Sequence, residues 1–209
     1  MFSISGWGKS VPINTVTNDD LSKYLDTSDE WITSRTGIKE RRIIDESLGE
    51  SSLSLAVESA EQAMLKSGKI SSDIDCVIVA TASATQPIPS MASIVSKQLG
   101  IIAPAFDLNA ACSGFVYALS VAAGFFELKL FKNILLIGVD TLSVVVDKND
   151  RSTAILFGDG AGAVVLTSND DPSSGLISAD IGGNPSQYKI LKVPARPNTQ
   201  LKDQDVKEV

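Results

Sequence analysis

The residue best placed for covalent chemistry is Cys112. It stands where the small-residue run Asn109-Ala110-Ala111 passes into a segment that opens Cys-Ser-Gly and continues with helical apolar spacing. The unpaired N–H groups and dipole of a helix start favour a thiolate, and the flanking Ala and Gly leave room for a bulky thioester or acyl group. On position alone, an unreactive buried cysteine fits as well. Cys76 lies inside the apolar run CVIVAT, where burial raises a thiol's pKa and closes off access, so it reads as packing. The two cysteines form no C-x-x-C pair, and the sequence holds zero His. Imidazole ligands, a Cys-His dyad and histidine acid/base chemistry are therefore excluded for these residues, and no metal site is expected.

Trp31 and Arg35 are four positions apart, a spacing that puts an indole and a guanidinium on one helix face, where an adenine could stack and phosphates meet the arginine. A solvated helix with one anchoring Trp is the plainer reading of that spacing. Residues 158–163 (GDGAGA) match neither G-x-G-x-x-G nor G-x-x-x-x-G-K-[ST] and have apolar runs on both sides, which favours close strand packing over a phosphate cradle. Gly8-Lys9-Ser10 lacks the upstream glycine of a nucleotide loop.

These residues need a scaffold, and the composition indicates which kind. Of 209 residues 44% are hydrophobic but only 6% aromatic, so the interior must be layered from Ala, Val, Ile and Leu, as in α/β folds. The formal charge of −7 comes without a basic stripe, which argues against nucleic acid as a partner. No run of about 18 apolar residues offers a membrane span, and no signal-peptide pattern opens the sequence. Together with the cysteine usage, this predicts a cytoplasmic protein.

A strand is expected near residues 2–6, then a polar surface stretch over 18–50. A helix capped by Ser51 or Ser52 and closed by Gly68 follows, with a buried strand at 76–81 and a helix at 90–99. A strand at 106–111, a helix at 113–130 and a buried strand at 133–139 complete a β-α-β-α-β order, which implies parallel strands with right-handed crossovers. The apolar runs of 154–167 about their Gly-rich centre predict a hairpin or a pair of strands, and 175–181 a last strand. Two regions are expected: a domain over 1–181 and an irregular tail over 182–209.

Four segments taken together resemble the β-ketoacyl-[acyl-carrier-protein] synthase III family of the thiolase-like superfamily. They are residues 26–42 (DTSDEWITSRTGIKERR), 81–89 (TASATQPIP), 105–119 (AFDLNAACSGFVYAL) and 150–166 (DRSTAILFGDGAGAVVL). The likeness runs from the start of the sequence to about residue 185. It implies a thiolase-like α/β fold, here the N-terminal βαβαβ half with a mixed sheet and helices on both faces, the second half being absent. By the same resemblance Cys112 would take an acyl group from acetyl-CoA or a similar primer in the first step of type II fatty acid synthesis. Trp31 and Arg35 would clamp the CoA nucleotide, with Thr27 near the adenine and Arg151 at the nucleotide or phosphate end. Thr36, Ile155, Leu156 and Phe157 would line the pantetheine tunnel and primer pocket. Ile88 would close the acyl pocket of a dimer mate, and its modest size would admit longer or branched primers. No cofactor is implied beyond the acyl-CoA substrate.

The resemblance also implies an acyl carrier protein as partner, for which Lys39, Arg41 and Arg42 form the one dense basic patch, and a homodimer joined through the strand near 105–111. In the family, a His and an Asn of the second half stabilise the carbanion formed when the malonyl group loses CO₂. This sequence has no His, and Asn184 and Asn198 match no such motif. The expectation is that this chain alone does not condense. It would be the N-terminal portion of a synthase, one chain of a split enzyme, or a non-catalytic thiolase-like binding or assembly module.

Overall fold

The computed structural model describes residues 1–171, 173–187 and 190–193. The chain divides into two compact units, Met1–Ala179 and Asp180–Val209. In the second, a 3-10 turn spans Pro185–Gln187; Asn198 and much of the expected tail lie outside the described residues.

The first unit is built on a five-stranded sheet of β1 (Phe2–Ser10), β4 (Cys76–Ala80), β5 (Ala105–Leu108), β6 (Asn133–Thr141) and β7 (Asp159–Ser168), in the order β1-β7-β6-β4-β5. β4 runs parallel to both β5 and β6, with Val77 opposite Ala105 and Leu135. β7 runs antiparallel to β6 and to β1. The sheet is therefore mixed. The β4-α4-β5-α5-β6 core carries the parallel crossovers, with α4 at Met91–Leu99 and α5 at Gly114–Glu127.

The hairpin expected over 154–167 does not form. Its first part closes a one-turn helix, α6 (Arg151–Ala154), and its second part is the single strand β7. β7 pairs along one edge with β6, the preceding strand, and along the other with β1 at the far end of the sequence, so the pattern within 154–167 gave no sign of its partners. Residues 175–181 form no strand. The helix expected over 113–130 ends at Glu127, and Lys129 takes a positive φ of 55°.

Helix α3 (Ser52–Ser67) starts at the Ser51 N-cap, whose hydroxyl accepts the Ser54 amide, and ends at Gly68 with φ 68°. Its small-residue face (Ala56, Ser59, Ala60 and Ala63) is buried. β1 lies so close that a Cβ on Gly6 or Gly8 would strike the carbonyls of Ala63 and Ser59. α3 and α4 cover one sheet face around Val77, Val79, Leu135, Ile137 and Val165. α5 covers the other around Cys76, Ile78, Ile134, Leu136 and Leu166. β4 is buried along its whole length, and each fully buried aliphatic side chain contributes about 1.5–3 kcal/mol.

The polar stretch 18–50 is more than surface. It folds into α1 (Asn18–Ser22), α2 (Asp29–Thr36) and β3 (Glu40–Arg42), and β3 pairs antiparallel with β2 (Thr15–Thr17) just before it. Leu21, Leu25 and Ile32 bury themselves with Ile155 in a separate small core. Among the described residues no helix is long and apolar enough to cross a membrane, and no cluster of three potential metal ligands occurs.

Candidate functional site

β5 ends at Leu108, and the chain turns through a 3-10 segment, Ala111–Ser113, directly into α5. Ala111 is held at φ 46°, a left-handed conformation that costs an L-residue about 1–2 kcal/mol. Its amide donates to Asn109 Oδ1 at 3.1 Å. This sharp turn leaves Cys112 exposed, two residues ahead of Gly114, the first residue of α5. Gly114 is buried against Ala80 at the end of β4, and a Cβ there would lie 3.3 Å from Ala80 Cβ. The Phe115 ring covers Gly138 in the same way.

Cys112 borders a cavity of about 460 Å³ at the C-terminal ends of the parallel strands. Ala80, Gly138 and Asp140 contribute from β4 and β6, Gly158 from just before β7, and Gly160 and Gly162 from its start. Cys76, by contrast, is fully buried within β4. Desolvation, helped by the neighbouring Asp75 charge, pushes its thiol up to about 11, so it is no nucleophile near neutral pH.

The aromatic and basic candidates converge. Trp31 and Arg35 lie on α2, whose N-cap Ser28 accepts the Trp31 amide. The Arg35 guanidinium carbon lies 4.3 Å from the Trp31 ring centroid and that of Arg151 lies 4.6 Å from it. Arg151 is held at the start of α6 by a 2.7 Å hydrogen bond to Asp26 O and a 3.7 Å ion pair with Asp26 Oδ2. Asp150, the N-cap of α6, accepts from Ser152 and Thr153, and these bonds hold its carboxyl below the usual range. Thr27 follows Asp26, and its Oγ1 is buried without a hydrogen-bond partner.

The remaining candidates have other company. Thr36 Oγ1 donates to Ile32 O at 2.8 Å and accepts the Ile38 amide at 3.0 Å. Ile155 is buried with Leu21, Leu25 and Ile32, Leu156 is exposed and Phe157 half-buried. These three lead into Gly158 but are not themselves walls of the Cys112 cavity. Ile88 is 85% exposed at the tip of the loop after β4.

The basic patch proposed from Lys39, Arg41 and Arg42 breaks up. Arg41 is buried, with Nη2 donating to Asn18 Oδ1 at 2.9 Å and to Ile155 O at 2.8 Å. Burial also lowers its pKa. Arg42 donates to the carbonyls of Pro12 and Ile13, and Lys39 pairs with Asp29. The Asn18 amide in turn reaches Asp29 Oδ1 at 2.8 Å and Ile38 O at 2.8 Å. That bond is the chief reason the Asp29 carboxyl sits below its ordinary value. Arg41 is thus an internal strut between the α1-α2 region and the segment after α6. Its neighbours in sequence are charged, and it is the non-local contacts with Asn18 and Ile155 that distinguish it from a surface arginine.

Asp140 was also missed. Its signal in the sequence is an acid directly after the apolar run NILLIGV, at the end of a buried strand, where ligand sites of parallel sheets gather.

Residues 106–185 match the profile of the family described as 3-Oxoacyl-[acyl-carrier-protein (ACP)] synthase III. The chain is 51% identical over 191 residues to the beta-ketoacyl-[acyl-carrier-protein] synthase III of Natranaerobius thermophilus, covering 90% of this chain and 57% of that protein. It is 48% identical over 195 residues to the enzyme of the same name from Neisseria meningitidis serogroup B, covering 92% and 60%. The crystal structure of 3-oxoacyl-(acyl carrier protein) synthase III from Pseudomonas aeruginosa PAO1 superposes with a TM-score of 0.87 at 40% identity, covering 94% of this chain and 61% of that one. The chain spans about 60% of the length of the curated relatives it matches. Over the length it shares with them, the chain is similar in sequence and in its thiolase-like α/β fold to 3-oxoacyl-[acyl-carrier-protein] synthase III proteins.

Proposed function

We infer that this chain carries the acyl-loading site of a condensing enzyme that starts type II fatty acid synthesis. The observation that carries the reading is the exposed Cys112 on its strained turn at the head of α5, open to a 460 Å³ cavity. The Cys112 thiolate attacks the carbonyl carbon of an acyl-CoA, acetyl-CoA or a similar primer. A tetrahedral oxyanion forms and is held in part by the Cys112 backbone N–H. The C–S bond to CoA breaks, and CoA takes up the proton given up by the cysteine, so thiol plus thioester become thioester plus thiol. Trp31, Arg35 and Arg151 hold the nucleotide end of CoA, with Thr27 near the adenine. Thr36, Ile155, Leu156 and Phe157 flank the path of its pantetheine arm, and Ile88 of a dimer mate closes the acyl pocket.

Condensation with a malonyl group on an acyl carrier protein asks for a donor to the developing carbanion, and in the family that donor is a His. The absence of His from this sequence confines the proposed chemistry of this chain to acyl transfer. The second half of the reaction falls to residues outside it, supplied by further sequence or by a separate chain. The protein is proposed to work as a cytoplasmic homodimer with acyl-CoA and acyl carrier protein as partners.

Incubation with acetyl-CoA followed by intact-mass and peptide mass spectrometry tests the loading step. One acetyl group on Cys112, absent from Cys112→Ser, is expected. An unmodified Cys112 would overturn the reading and leave a binding or assembly module. Adding malonyl-carrier protein to the pure acylated chain is expected to give no 3-oxoacyl product, whereas product formation would refute the division of labour.

A further inference from the structure

We propose that Asp140 and Asp107 are paired positioning residues that fix the loop 81–90 from both ends and so set which acyl group the site accepts. The proposal rests on the reading of Cys112 as the acyl acceptor and of Ile88 as the wall of a mate's acyl pocket.

The loop leaves β4, the strand between β6 and β5. Each flanking strand sends one carboxylate to it. Asp140 of β6 grips the first residues: its Oδ1 accepts the Ala82 amide at 2.8 Å, Ser83 Oγ at 2.9 Å and Thr81 Oγ1 at 3.4 Å. Ser83 Oγ accepts the Thr141 amide at 2.8 Å, so the tie runs in both directions. Asp107 of β5 grips the far end: its two oxygens accept the amides of Met91 and Ala92, at 2.7 Å each, at the start of α4. Among the described residues neither carboxylate forms an ion pair. Both negative charges are directed at N–H and O–H donors, the charge-assisted kind of bond.

The tip between the clamps has little of its own to hold it. Pro87 and Pro89 have no amide hydrogen to offer, and the internal tie is Gln86 Nε2 to Ile88 O at 3.0 Å. The position of Ile88, 85% exposed, therefore depends on where the two ends are fixed. Asp140 also lines the Cys112 cavity, so one side chain faces the cysteine's chamber and anchors the loop offered to the mate. Three donors converge on one oxygen of Asp140, and this convergence makes a sharp forecast: an asparagine carbonyl in the same place can accept all three, while alanine can accept none.

The test compares the initial rates of Cys112 acylation by acetyl-CoA and isobutyryl-CoA in the wild type, Asp140→Ala, Asp140→Asn and Ser83→Ala. Mass spectrometry reads the rates, and circular dichroism checks folding. Asp140→Ala is expected to change the acetyl-to-isobutyryl rate ratio by about fivefold or more, the scale of one or two lost hydrogen bonds, with Asp140→Asn restored to within about twofold. Ser83→Ala is expected to move the ratio in the same direction by less, and it carries the test if Asp140→Ala fails to fold. A ratio unchanged in Asp140→Ala, or in Ser83→Ala where that variant carries the test, overturns the proposal, as does an Asp140→Asn variant that behaves like alanine. Either result leaves the loading reading intact because Cys112 is still acylated. A wild type that is never acylated overturns that reading and this proposal with it.

Discussion

The Arg151 guanidinium lies 4.6 Å from the centre of the Trp31 indole, which brings the start of α6 onto the exposed side of α2. Arg35 reaches the same ring from one helical turn away. Arg151 is exposed, so its contacts add little to stability and its charge is available to a ligand. Replacing Arg151 with alanine is expected to weaken CoA binding about 3- to 10-fold, a loss of roughly 1 kcal/mol of the cation–π and phosphate kind. The denaturation midpoint should barely move. Isothermal titration with CoA measures the first and urea unfolding the second; equal CoA affinity in the two proteins would contradict the clamp.

Cys76 makes a prediction about pH. Burial favours its neutral thiol, and its pKa rises from an ordinary 9.0 to about 11 in the folded chain. The stability it contributes is complete below pH 9 and is lost as pH climbs through 11. Wild type is expected to lose stability across that window more steeply than Cys76→Ala. Iodoacetamide at pH 8 should label Cys112 and spare Cys76 until the chain unfolds, which peptide mass spectrometry can read.

Arg41→Met keeps the length of the buried side chain and removes its donors. Asn18 Oδ1 and the Ile155 carbonyl then lose their partner. Stranding buried acceptors of this kind is expected to cost about 3 kcal/mol, seen as a lower urea midpoint with an unchanged slope. Lys39→Ala, which breaks an exposed pair with Asp29, should cost less than about 1 kcal/mol.

Gly8→Ala sets a methyl group against the Ser59 carbonyl and the Gln62 side chain of α3. The helix can answer only by moving off the sheet, so a loss of about 1–3 kcal/mol is expected. Gly124→Ala, where an added Cβ meets nothing within 4 Å, should instead stabilise α5 by up to about 1 kcal/mol. Thermal unfolding of the two variants side by side decides the matter.

Local rules reached the elements whose pattern completes itself nearby. The Ser51 cap, the spacing of Leu53, Ala56, Val57, Ala60, Ala63 and Met64, and the stop at Gly68 delimit α3 without help from the rest of the chain. The apolar runs of β4 and β6 likewise announce strands buried on both faces. β7 was misread because alternation around glycine looks the same in a hairpin as in one long strand, and the deciding partners, β1 and β6, lie elsewhere in the sequence. Arg41 and Asp140 escaped for a related reason. A charged side chain reads as solvent-facing until its acceptors or donors are known, and Ile155 and Ala82 are far from them along the chain. Cys112 could be placed before a helix from sequence, but the left-handed turn at Ala111 that exposes it could not.

The chamber beside Cys112 is walled largely by positions that carry a single carbon or none: Ala80, Ala111, Gly138, Gly158, Gly160 and Gly162. Those stretches of wall are fixed by the backbone, and no rotamer change there can swell or shrink the space. The side chains left to reshape it are Val11, Phe115, Val139 and Asp140, so the breadth of guests is tuned by these few groups and by the loops at the rim.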